Sequence, residues 1–164
     1  MPLFRNGKFL RTDIWREGKW LDLWSVVHFL TGVSLGLGIS FFRFGTTGSI
    51  VIAFLLLVAY ELWEALVKIE ETPQNRFMDV VVGMTSFLPA FLILVPSLSS
   101  FALILTSGLV LTLNILLSIV GWQQSRKAAE LEAKVRRDLR ARRTRFIERR
   151  LRRRAQRSER RMGR

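Results

Sequence analysis

The chain has no cysteine, a single histidine and only four prolines. Without cysteine there can be no disulfides and no thiolate metal sites, and the redox compartment leaves no mark. The N-terminus has no short apolar region followed by small residues, so no secretory signal is expected. Acidic residues are scarce late in the chain. From Gly121 onward there are 18 Lys and Arg against 5 Asp and Glu, leaving 8 of each before that point. The net charge of +13 is therefore a property of the last stretch alone.

What the sequence does have is apolar length. Hydrophobic residues make up 49% of the 164 residues and concentrate between positions 21 and 122, in runs too long for a soluble core of this size. Four spans are expected, at about 21–42, 49–69, 73–95 and 101–122, each near the length that crosses roughly 30 Å of hydrocarbon. The expected fold class is all-α: a four-helix transmembrane bundle, residues 21–122, with a long Arg-rich helix at 123–164. Residues 1–20 interleave Phe4, Phe9, Trp15 and Trp20 with Arg5, Lys8, Arg11, Arg16 and Lys19. Rings beside cations suit the headgroup layer of a bilayer, and a solvated leader has the same composition.

Polar residues mark one face of each span. In the first, Asp22, Ser25, His28, Gly32, Gly36 and Ser40 recur at three- and four-residue spacing. Gly32 and Gly36 form a small-xxx-small pair that admits another helix closely, from the same chain or from a second copy in a homo-oligomer. In the second span Glu61, Glu64 and Lys68 share a stripe, with Glu64 and Lys68 in the favourable four-residue order. Thr72-Pro73 reads as an N-cap followed by proline at the first helical position. The third span then carries Asn75, Asp79, Gly83, Ser86 and Ala90 on one face; Pro89 should kink it and Pro96 end it. The fourth places Ser107, Asn114, Ser118 and Gly121 on one side.

Basic residues crowd both ends of the chain and flank the second loop, while the third loop has none. The positive-inside rule then puts both termini and the second loop in the cytoplasm, with the chain in an inner (cytoplasmic) membrane. With alternating spans, His28, Glu61, Glu64, Asp79 and Asn114 all fall in the cytoplasmic half, so a polar pocket is expected there. Ionisable groups inside a membrane are costly and usually face a bundle interior or a wet cavity.

Three readings of that pocket stand side by side, and a fourth, proton or ion conduction, would need a polar path through the outer half that the sequence does not show. One imidazole and three carboxylates, from His28, Glu61, Glu64 and Asp79, suit a divalent metal ion such as Mn, Fe or Zn, whose charge would offset the buried acids. Alternatively Lys68, Asn75 and Arg76, beside the positive end of the third span, would hold the phosphate of a lipid headgroup. The carboxylates would then act as acid or base, or hold Arg76 and Lys68 in place, with His28 and Glu61 as the candidate proton carriers or ligands. The third reading is a satisfied network that fixes helix register without doing chemistry.

The pattern Asp22…His28-Phe29…Gly32, then Glu61-Leu62-Trp63-Glu64, then Arg76 and Asp79, resembles the small VanZ-like integral membrane proteins. The resemblance runs over about residues 22–83 and leaves out the basic tail. It implies a cell-envelope role, with His on one helix, an acidic pair on the next and Asp on a third; it names no reaction.

The tail reads as a cytoplasmic helix with no breaker before Gly163, and its apolar repeat is too short for a coiled coil. Only Lys127 and Lys134 among its basic residues are lysine. That bias favours bidentate phosphate contacts, with Arg142, Arg143, Arg149, Arg150, Arg152, Arg153 and Arg154 as the candidates. The partners that fit are anionic lipid, RNA or the ribosome, or DNA. A non-enzymatic anchor or complex subunit, docking a polyanion through this tail, is the alternative to a pocket with its own chemistry.

Overall fold

The computed structural model describes residues 4–5, 8–9, 15, 20–42, 44–67 and 72–162. Two short strands, β1 (Phe4–Arg5) and β2 (Lys8–Phe9), pair antiparallel. The rest is helical: α1 (Trp24–Ile39), α2 (Thr46–Leu66), α3 (Pro73–Pro89), a π-helical turn (Ala90–Leu94), the single turn α4 (Val95–Ser97), and α5 (Ser100–Met162). Three helical stretches are long and apolar enough to cross a membrane: Thr46–Leu66, Pro73–Ser97 and the early part of α5.

The first span is shorter than its apolar run predicts, at 16 residues, below that length. Asp22 sets its start. Its Oδ1 accepts from the backbone N–H of Trp24 at 2.7 Å and of Ser25 at 3.3 Å, and its own N–H donates to Ser25 Oγ. An aspartate that takes up the first free amides holds the chain out of the helix until they are satisfied. At the other end the N–H groups of Phe41 and Phe42 donate to Gly38 and Ile39, a tightened turn in place of two more helical residues.

α3 begins with the Thr72 hydroxyl accepting from Asn75 N–H at 3.2 Å and Pro73 in the first turn. Its far end departs from expectation. Directly after Pro89, which lacks the N–H that the previous turn needs, the helix widens into the π-turn. It does not end at Pro96, which lies within α4 directly after the π-turn, and the helical stretch continues to Ser97. The expected fourth span and helical tail are joined, since α5 runs as one helix from Ser100 through Met162.

The seam between α1 and α3 is the tightest in the fold. A methyl group added at Gly32 would overlap the Gly83 carbonyl and Ser86 Oγ, and one at Gly36 would lie 2.9 Å from Ala90 Cβ. The small-xxx-small pair therefore faces α3 of its own chain. Gly83 in turn lies against Leu57 of α2, whose methyls would come within 2.9 Å of an added Cβ. Ser86 Oγ crosses the seam to the carbonyl of Phe29 at 2.7 Å. Below it Ile39, Ala53 and Phe87 form the apolar core, with Leu35, Met84 and Phe91 packed around them.

α5 is different in kind. Its most apolar window has no buried residue, against 22% and 28% for the windows of α2 and α3. Among the described residues, two of its contacts with the rest of the chain stand out. Asn114 Nδ2 donates to Thr31 Oγ1 at 3.0 Å, leaving Asn114 Oδ1 with no hydrogen-bond partner. Gly121 meets the rings of Trp15 and Trp24, which pack edge-on with centroids 5.2 Å apart. Trp15 is buried and its carbonyl accepts from Trp24 Nε1 at 3.0 Å, whereas Trp20 is exposed. Of the four aromatics expected in the headgroup layer, Trp15 is thus a packing residue.

Candidate metal centre

Three helices bring one side chain each to a common point. His28 of α1 lies between Glu61 of α2 and Asp79 of α3, and all three are buried. Glu61 Oε1 is 3.6 Å from His28 Nδ1, and Asp79 Oδ2 is 3.7 Å from His28 Nε2. These separations exceed the ~2.7–2.9 Å of a charge-assisted hydrogen bond. Neighbouring ligands on ~2.1 Å bonds to a tetrahedral ion stand about 3.4 Å apart, and because one ion takes a single ring nitrogen, only one of these two separations can serve as such a spacing. One ligand atom from each residue lies within 4.8 Å of the other two.

Asp79 is held from both sides. Ser25 Oγ donates to its Oδ1 at 3.0 Å, and Asn75 Nδ2 donates to its Oδ2 at 3.2 Å. The same Asn75 nitrogen donates to Asp22 Oδ2 at 3.2 Å. Asn75, fully buried, is therefore turned inward onto two carboxylates and away from any headgroup. The carboxylate that helps start α1 and the carboxylate beside His28 share one donor. Outer donors of this kind fix the rotamer of a ligating carboxylate and tune its basicity.

The remaining candidates separate from this point. Glu64 is half-buried one turn further along α2, outside the group of three. Arg76 is half-buried on α3. Lys68, and with it the expected Glu64–Lys68 pair, lies outside the described residues. Gly32, Gly36 and Gly83 line the helix seam. Asn114 reaches Thr31, one turn along α1 from His28, so only α1, α2 and α3 supply the cluster. Arg142, Arg143, Arg149 and Arg150 are exposed on α5, and Arg152, Arg153 and Arg154 continue the same helix.

Two residues with a part in the site escape a reading by composition. Tyr60 places its ring edge-on to His28 at 5.8 Å while staying half in contact with the surroundings, and Trp63 lies 6.0 Å from it. Thr31 belongs to a series, Asp22, Ser25, His28, Thr31, that steps by three. Such a line shifts by about 60° around a helix at each step, so it meets successive neighbours in turn. That spacing was the available signal.

Chemically, the described cluster combines Asp22, Glu61 and Asp79 with a single imidazole. An anion placed among them would meet like charge, whereas a cation would relieve it. No family model, curated protein or solved structure matches this chain, and the likeness to VanZ-like proteins stands on the residues quoted for it alone.

Proposed function

We propose that this chain is an integral membrane protein that holds a divalent metal ion between His28, Glu61 and Asp79, in the half of the bilayer nearer the cytoplasm. The observation that carries the reading is the convergence of three buried ligand atoms from three helices within 4.8 Å. One imidazole and two carboxylates make a three-ligand set of the type used by zinc and manganese sites that keep a position open for water or substrate. The ion would stabilise the two buried carboxylates, while Ser25 and Asn75 orient Asp79. Phosphate recognition by the protein groups alone fits less well, because the cluster is acidic. The resemblance to VanZ-like proteins adds an envelope role.

A second reading draws on a specific feature. The two ring nitrogens of His28 face different carboxylates, which suits an imidazolium clasped between them as a purely structural tie. Elemental analysis of detergent-purified protein separates the two. The metal reading expects about one equivalent of zinc or manganese per chain, lost in His28→Ala and in Glu61→Gln. Wild-type protein that stays empty after incubation with both metals leaves only the tie.

A further inference from the structure

The described part of the tail, residues 126–150, has two ion pairs, Arg126–Glu130 and Arg136–Glu132. From position 137 to 150 no described arginine makes one, and every residue there is exposed. The sense in which they are exposed is informative. At about 100° per residue, Arg136, Arg137, Arg145 and Arg142 point to four different quarters of the helix. Leu131, Val135, Leu139 and Phe146 share an arc of about 80°, yet Arg142 and Arg149 fall inside that same arc.

A helix that lies in a membrane surface keeps its cations to one side and its apolar residues to the other. This one would have to press Arg142 and Arg149 into the acyl boundary along with Phe146. A ring of arginines instead matches a partner that presents phosphates on more than one side. The groove of a double helix does so, with a phosphate wall on each flank and room for an α-helix between them in B-form DNA. Guanidinium groups suit such walls because each bonds phosphate in a bidentate fashion. Among described side chains only Phe146 offers a ring for stacking, which argues against single strands.

We infer that residues 136–150 form a docking helix for the phosphate walls of B-form duplex DNA, since the deep, narrow major groove of an RNA duplex does not admit a helix. The inference is independent of the metal centre, since it uses no residue of that site. Arg152, Arg153 and Arg154 continue the same helix.

The test is binding of the full chain, in phosphatidylcholine nanodiscs, to a short RNA duplex, a DNA duplex of equal length and a single strand with the same number of phosphates. Duplex affinity is expected to fall about 10³-fold between roughly 50 and 200 mM salt, as for six phosphate contacts. The variant R142A/R143A/R149A/R150A should bind at least tenfold more weakly and reduce the salt slope by about 3 to 4. Its helicity by circular dichroism should match wild type. The DNA duplex is expected to bind more tightly than the RNA duplex. The inference is overturned if the DNA duplex does not bind at low salt, if the RNA duplex or the single strand binds as tightly, or if the variant binds like wild type. It is equally overturned if nanodiscs containing phosphatidylserine abolish duplex binding, because the headgroups are then the partner.

Discussion

The cluster between α1, α2 and α3 and the basic stretch of α5 treat charge in opposite ways. In the cluster Asp79 is all but sealed from the surroundings, with Ser25, Asn75 and His28 around it. In the tail, from position 137 to 150, arginines recur with every residue exposed. The difference follows from the medium. A buried charge in an apolar surrounding persists only with partners, so its geometry becomes specific. A charge in water needs none, so its position is set only by helical register and its use depends on what arrives.

That contrast can be broken experimentally, starting where the effect should be largest. Asp79→Ala leaves the His28 imidazole, Ser25 and Asn75 facing an empty site, and removal of one partner from a buried charged group costs about 3–5 kcal/mol. The expected outcome is a large fall in the unfolding midpoint in mixed micelles, together with loss of bound metal. An Asp79→Ala protein as stable as wild type would mean that the cluster is not a linked unit.

Gly32→Ala should cost about 2–3 kcal/mol, because the added methyl strikes the Gly83 backbone carbonyl and the seam must open. Gly38→Ala on the same helix has open space at the new Cβ and should stabilise by about 0.5–1 kcal/mol through helix propensity. The pair is read in one unfolding assay. Equal effects from both glycines would remove the tight seam from the account. The smallest effect is expected in the tail, where R142A/R143A/R149A/R150A should leave the unfolding midpoint unchanged while weakening duplex binding.

The apolar lengths in the sequence foretold the long helices, and the Thr72-Pro73 cap marked the start of α3. His28, Glu61 and Asp79 were legible as a group because antiparallel spans of known rise bring them to one depth. Helix ends were less legible. The late start of α1 depends on Asp22 choosing its neighbours' amides over solvent, a choice made partly by Asn75 from another helix. The π-turn after Pro89 is one of several responses to a missing donor, and the sequence does not say which is adopted. Asn114 was expected at the level of the cluster but bonds Thr31, because the three-residue polar line on α1 rotates away from α2 and α3 as it advances. Trp15 looked like a headgroup anchor; Gly121, which makes room for its ring, lies more than a hundred residues away.

One amide nitrogen, Asn75 Nδ2, bridges the carboxylate beside His28 and the carboxylate that opens α1. Whatever draws Asp79 towards a new neighbour also tugs on that shared donor, and through it on the aspartate whose other oxygen gathers the Trp24 and Ser25 amides. An ion held as proposed between the helices would in this way be geared to the first turn of α1, with a fully buried side chain as the tooth.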